Sequence, residues 1–266
     1  MRNVCIVGLG SIGRRHVNVL KRQGVKNVIG VDLRDDRREQ AKNETDIDEV
    51  FDDFSNVFLK NKVDTVFVTL PTAFHTDVLK IAVEHECNLF IEKPVAHVSD
   101  YLDELGKEII EKKLCTHVAY CYRFAPSVKR VKEILDSGVI GKIWSVRLEI
   151  SNYLPDWHPW EDYRDFYMAK IEQGGGARLD ESHGIDLLRW MFGEIDTVYS
   201  YVDTVSDLEI SSDDLALMIL KFRSGVTAEA HFDLLGRTPR IGMELIGSDG
   251  TLLWDRVSGK IEIFDA

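Results

Sequence analysis

The sequence predicts an α/β fold class: an N-terminal Rossmann domain on a doubly wound parallel sheet, then a C-terminal α+β domain on a mainly antiparallel sheet. Three observations predict it. Over the first 120 residues, short β-branched apolar runs alternate with longer amphipathic stretches, as a parallel sheet flanked by helices requires. A glycine turn, Gly8-Leu9-Gly10-Ser11-Ile12-Gly13, directly follows the first of those runs. Beyond Thr197 the helical period disappears, and apolar alternating runs succeed one another through hairpin signals.

In order, the expected strands of the first domain are Val4 to Val7, Val28 to Val31, Thr65 to Leu70, Leu89 to Ile91 and Thr116 to Ala119. Between them Ile12 to Arg22, Arg34 to Lys42, Phe74 to Glu84 and Asp100 to Lys112 carry apolar residues at helical spacing. The texture changes near residues 121 to 125, which places a cofactor domain at 1–121 and a substrate and oligomerisation domain at 122–266. There Pro126 to Leu135 reads as a helix stopped by Asp136-Ser137-Gly138, and Lys142 to Leu154 as a long strand. A loop rich in aromatics, a glycine triplet at Gly174 to Gly176 and a helix over Ser182 to Met191 follow. The closing strands are Thr197 to Val205, Asp214 to Phe222, Val226 to Leu234, Arg240 to Ile246 and Thr251 to Asp255, and Gly259 to Ala266 is again strand-like.

Composition narrows the function classes. Hydrophobic residues at 44% and charged residues at 29% are those of an ordinary globular chain, with no tract biased toward disorder. The 33 basic against 45 acidic residues give a net charge of -12, which opposes binding to nucleic acid or to an anionic membrane surface. No apolar run approaches the ~20 residues that span a bilayer. Of the four cysteines, three (Cys5, Cys87 and Cys115) fall in or beside runs that read as buried strands, and none forms a CxxC pair, so reduced thiols in a cytoplasmic setting are expected. The histidines are dispersed without ligand spacing, so no metal site is expected.

The glycine turn carries the first chemical signal. Each glycine has a physical reason: a tight turn, close approach of backbone to a pyrophosphate, and close packing of helix on strand. Ser11 and Ile12 begin the helix whose N-terminus would face the anion. Asp32 ends the second strand about 20 residues further on, where a carboxylate binds ribose hydroxyls. A carboxylate there favours NAD, whereas Arg34, two residues on, could receive a 2′-phosphate, so NADP is the alternative. Lys93 lies at the end of a parallel strand, in Ile91-Glu92-Lys93-Pro94-Val95, on the side where such sheets bind ligands. A solvated surface lysine is the competing reading.

These segments, with Pro71-Thr72-Ala73-Phe74-His75, Tyr120 to Pro126 and Gly174 to Asp186, together resemble the glucose-fructose oxidoreductase/inositol dehydrogenase (Gfo/Idh/MocA) family over nearly the whole chain. The resemblance implies that Lys93 contacts both substrate and nicotinamide, that Asp180 and His183 complete the catalytic site, and that Pro71, His75 and Glu92 lie at the cofactor. It implies hydride transfer to or from a secondary alcohol or ketone of a sugar, inositol or nucleotide sugar. Its alternatives are a reductase of a non-sugar carbonyl or imine, or an inactive dinucleotide sensor. The family's histidine usually follows its aspartate by four residues; here His183 follows Asp180 by three, as in a subgroup associated with surface-glycan pathways. A homodimer or homotetramer through the second-domain sheet is implied. So is a further C-terminal segment with a late helix, against which this chain reads as short or truncated.

On helical spacing Asp180, His183 and Asp186 share one face if the helix begins early enough; Asp180 or Ser182 as an N-cap is the competing reading. Trp157 and Trp160, with Arg164, suit a sugar or nucleotide-sugar site and equally a packed interdomain loop. Arg123 is either an anion contact for the substrate or a salt bridge.

Overall fold

In the computed structural model, which describes residues Asn3–Asp265, contacts divide the chain after Ala119 into two units. Met1, Arg2 and the terminal Ala266 lie outside the described residues.

The first unit runs β1 (Asn3–Val7), α1 (Ser11–Arg22), β2 (Asn27–Val31), α2 (Asp35–Glu44), β3 (Glu49–Phe51), α3 (Phe54–Lys60), β4 (Thr65–Val68), α4 (His75–Glu84), β5 (Asn88–Ile91), α5 (Leu102–Glu111) and β6 (Thr116–Val118). All strand pairs are parallel, in the order β3-β2-β1-β4-β5-β6. Strand residues alternate between two cores: Cys5, Val7, Val66 and Val68 on one, Ile6 and Val28 with Val17 of α1 on the other. That two-sided burial is why these strands read as continuous apolar runs. The order reverses between β1 and β4, which opens a crevice at the carboxyl ends of those two strands.

In this unit β3 and α3 have no counterpart in the sequence expectation. β3 is a three-residue edge strand without a purely apolar run, and α3 has only seven residues, too short for a period to declare itself. Lys93 therefore follows the fifth strand and Pro71 the fourth. Cys5 and Cys87 are buried, and burial holds the Cys87 thiol up at about 11; Cys115 is exposed, because β6 is an edge strand.

The second unit contains α6 (Pro126–Ser137), ended by Gly138 in the left-handed region, then β7 (Ile143–Tyr153), α7 (Leu154–Trp157), α8 (Ala177–Asp180), α9 (Ser182–Phe192), β8 (Ile195–Asp203), β9 (Leu215–Phe222), β10 (Thr227–Asp233), β11 (Leu235–Gly247), β12 (Gly250–Asp255) and β13 (Lys260–Asp265). The aromatic loop is partly ordered: α7 and three 3-10 turns span it. The sheet order is β13-β12-β11-β7-β10-β9-β8; of its six pairs only β10–β7 is parallel. Val146, Leu148, Ile150, Ala228, Ala230 and Phe232 project into one core with Leu187 and Leu188 of α9. The opposite face stays open, with exposed Tyr199, Tyr201 and Ile219.

One helix does not carry all three candidates of the segment after the glycine triplet. α8 ends at Asp180 and α9 starts at Ser182, with Glu181 as an irregular link, so Asp180 and His183 share no helical face, whereas His183 and Asp186 do. Nor does Asp180 or Ser182 cap α9: Glu181 holds that position and makes no side-chain cap bond.

Candidate active site

In the first unit the glycine turn is built by close approach. Gly8 has φ +102, and a Cβ on it would lie 2.7 Å from the Thr69 carbonyl oxygen. A Cβ on Gly13 would lie 1.9 Å from the Gly8 oxygen, so α1 can meet β1 here only through glycine. Gly10 differs. Its φ of -62 suits any residue, and a Cβ would meet only Arg37 Nη1 at 4.0 Å. Nothing in the protein requires glycine at this point, which leaves open space at the N-terminus of α1. That terminus has no side-chain cap and no acid in its first turn, so the N–H groups of Ser11, Ile12 and Gly13 remain available to an anion.

Asp32 is buried beside this turn. Its Oδ2 accepts from Leu9 N at 2.8 Å and its Oδ1 from Arg34 N at 3.0 Å, with Arg37 Nη1 at 3.7 Å. A carboxylate has about four acceptor positions, so capacity remains for a diol. Arg34 pairs with Asp36, Nε to Oδ1 at 3.0 Å and Nη2 to Oδ2 at 2.5 Å, and this bond raises its pKa further. Its fork is thereby engaged, which favours a plain ribose over a phosphorylated one. Open space, free helix N–H groups and the carboxylate together fit the pyrophosphate and ribose of NAD.

Pro71 opens a 3-10 turn, Thr72–Phe74, after β4. His75 is fully buried, its Nε2 at 2.8 Å from the Leu70 oxygen and its Nδ1 at 3.2 Å from the Val95 oxygen. It ties this loop to the segment after Lys93. Burial pushes its pKa below the ordinary histidine value. Glu92 is held by His16 of α1, and Lys93 precedes a cis proline and is half-buried, unlike a solvated surface lysine.

In the second unit His183 is buried and stacked on Tyr122, ring centroids 4.1 Å apart at 8°, with Tyr120 edge-on at 5.7 Å. The Arg256 guanidinium lies 4.5 Å from the Tyr122 centroid. Asp180, also buried, accepts a hydrogen bond from the Tyr167 hydroxyl. Both phenols went unassigned in the sequence. Tyr122 sits within the Tyr120 to Pro126 motif and could have been found there; Tyr167 lies in a 3-10 turn with no period. The glycine triplet earns its place by packing, since a Cβ on Gly175 would lie 2.3 Å from the Tyr167 oxygen.

Arg123 makes a two-pronged bond to Asp186, Nε to Oδ2 at 2.7 Å and Nη2 to Oδ1 at 2.5 Å, the salt bridge of its two readings. Trp160 is 76% exposed and stacks on His158, whose Nδ1 meets Glu161 Oε1 at 2.6 Å. Arg164 pairs with Asp162 and Glu209, and this pairing draws the Asp162 carboxyl down to about 2. Trp157 packs against the core of the sheet. Among the described residues no cluster has the make-up of a metal site.

Two family models match the chain. Residues 2–120 match the model of an oxidoreductase family with an NAD-binding Rossmann fold, and residues 128–253 that of the GFO/IDH/MocA C-terminal domain. A myo-inositol 2-dehydrogenase of Thermotoga maritima is 27% identical over 261 residues, 95% of this chain and 75% of that protein. An uncharacterised oxidoreductase of Bacillus subtilis, YrbE, is 27% identical over 84% of this chain, which spans 64% of it. The WlbA dehydrogenase of Bordetella pertussis, solved with NADH and UDP-GlcNAcA, superposes with a TM-score of 0.88 at 21% identity, over 100% of this chain and 77% of that one.

Proposed function

The chain belongs to the GFO/IDH/MocA family of oxidoreductases, and from that premise we propose that it is an NAD-dependent dehydrogenase or reductase acting on a secondary alcohol or ketone of a sugar, inositol or nucleotide sugar. The observation that carries it is the open space at Gly10 beside the uncapped start of α1, next to the Asp32 carboxylate. Relatives that act on an inositol or were solved with a nucleotide-sugar acid support the substrate class.

Gly8, Gly10, Ser11, Ile12 and Gly13 would hold the pyrophosphate, and Asp32 the adenosine ribose. When bound, the nicotinamide supplies the hydride acceptor or donor. In this reading Lys93 holds the reacting oxygen by its positive charge, strongest when that oxygen carries developing negative charge. His183 takes the hydroxyl proton in oxidation and returns it in reduction, as the general base and acid of the reaction. Tyr122 fixes the plane of its ring. Asp180, oriented by Tyr167, receives a neighbouring substrate hydroxyl.

Assembly is part of the same proposal. On the open face of the second-unit sheet, Tyr199 is paired with Ile219 and Tyr201 with Leu217, and all four are exposed. A homodimer or homotetramer would cover this patch, which is larger in side chains than isolated surface apolar residues. A cytoplasmic location completes the reading. The decisive experiment is a cofactor-reduction screen over sugars, inositols and nucleotide sugars with Lys93→Ala as control. Turnover that survives Lys93→Ala removes the assignment.

A further inference from the structure

A cavity of about 250 Å³ opens where β7 ends and β11 begins, lined by Asn152, Tyr153, Asp156, Trp157, Gly236 and Arg237. This volume falls just below the ~300–1,000 Å³ typical of small-molecule pockets, which suits one sugar ring and not a dinucleotide. Its walls are fixed from behind. The buried Asp233 accepts on Oδ1 from Ser151 Oγ at 2.9 Å, from Leu235 N at 2.8 Å and from Gly236 N at 2.9 Å, and its Oδ2 lies 2.7 Å from His231 Nε2. One carboxylate thus ties the Ser151 side chain to the backbone just before Arg237. A Cβ on Gly236 would lie 1.9 Å from Ser151 Oγ, so a side chain there would displace the Ser151 hydroxyl.

The lining carries one cation and one anion, the exposed side chains of Arg237 and Asp156. The Arg237 guanidinium lies over the Tyr153 ring, 3.8 Å from the centroid, and donates Nη2 to the Tyr153 hydroxyl at 3.0 Å. It is thereby positioned, yet among the described residues neither Arg237 nor Asp156 has an ion-pair partner, although both line one cavity. In the same unit Arg123, Arg147, Arg164 and Arg189 each meet a carboxylate, and of the arginines that do not, Arg237 is the one that lines this cavity. A held guanidinium without a carboxylate has four of its five N–H donors in a fork that matches a carboxylate in two-point geometry. Aromatic faces beside it suit the C–H face of a ring, and Asp156 with Asn152 offers acceptors for hydroxyls.

We propose that this cavity is a subsite for a sugar ring bearing a carboxylate group, a reading that rests on the dehydrogenase assignment for the reaction it serves. Arg237 receives the carboxylate, Asp156 and Asn152 the ring hydroxyls, and Trp157 covers an apolar face. The test measures binding apart from turnover: saturation-transfer NMR of the full chain with D-glucuronate and with D-glucose, on the wild type, Arg237→Met and the exposed control Arg223→Met, with NAD affinity followed in parallel. Glucuronate binds the wild type and Arg223→Met alike, at least tenfold more tightly than glucose, and Arg237→Met weakens it about tenfold while NAD affinity and the circular-dichroism spectrum stay unchanged. Absence of glucuronate binding, an unchanged affinity in Arg237→Met, or glucose bound as tightly as glucuronate overturns the subsite. A chain that binds glucuronate through Arg237 but reduces NAD with no alcohol refutes the dehydrogenase assignment and leaves the subsite standing. Oxidation of a sugar acid with a KM indifferent to Arg237→Met does the reverse.

Discussion

The imidazole Nε2 of His16 lies 2.8 Å from Oε1 of Glu92. His16 stands one turn into α1, after the glycine turn, and Glu92 immediately precedes Lys93, so one hydrogen bond ties the helix that faces the dinucleotide to the strand end that presents the lysine. The His16 ring also meets Phe67 and Phe90, at 5.4 and 5.1 Å between centroids, which fixes its plane. His16→Leu keeps the packing and removes the bond. It is expected to lower stability by about 1 kcal/mol in urea unfolding and to lower kcat, while His16→Gln, which retains a donor, recovers most of both.

Gly10 and Gly13 separate ligand binding from folding. Gly10→Ala meets no protein atom closer than 4.0 Å and is expected to change stability by less than about 1 kcal/mol, yet to weaken NAD binding tenfold or more by calorimetry. Gly13→Ala forces a Cβ to within 1.9 Å of the Gly8 oxygen and is expected to cost about 1–3 kcal/mol or more in thermal unfolding. Equal NAD affinity in Gly10→Ala would remove the pyrophosphate from this turn.

His75 gives the fold a pH dependence whose sign follows from burial. Its pKa is lowered in the native state, so the unfolded chain binds the proton more readily. The contribution is complete above the ordinary histidine value of about 6.5 and is lost as pH falls below it. Urea midpoints at pH 7.5, 6.5 and 5.5 should fall in that order, and His75→Gln should flatten the series between the last two.

Arg123 and Asp186 form a fork rather than a simple charge pair. Arg123→Lys keeps the charge and loses the two-point geometry; with Arg123 partly exposed, about 1 kcal/mol of stability should be lost. Arg123→Met leaves the largely buried Asp186 carboxylate without its partner and should cost more, measured in the same unfolding assay.

On the proposed chemistry, His183→Asn is expected to reduce kcat by about 10²–10⁴. Tyr167→Phe removes the donor to Asp180 and is expected to raise KM for the sugar more than it lowers kcat, leaving NAD affinity unchanged. Steady-state kinetics with the best substrate of the screen, and calorimetry for NAD, check both.

The order of elements and the glycine turn were legible in the sequence because each depends on local pattern: two-sided apolar runs for buried parallel strands, alternation for the open sheet, and a fixed glycine spacing in which Gly8 and Gly13 pass backbone against backbone while Gly10 leaves open space. The family resemblance rested on the same contiguous motifs. β3 and α3 escaped because three and seven residues are too short to show a period. Tertiary structure decided what the polar groups do, since a hydrogen-bond partner distant in the chain leaves no trace in spacing. Only there does His75 prove to be a buried strut, Arg34 engaged by Asp36, Asp180 separated from His183 by a break between helices, and Arg237 held over Tyr153 without a carboxylate. Sequence period determined the backbone, and packing across residues far apart determined which charges were paired and which were not.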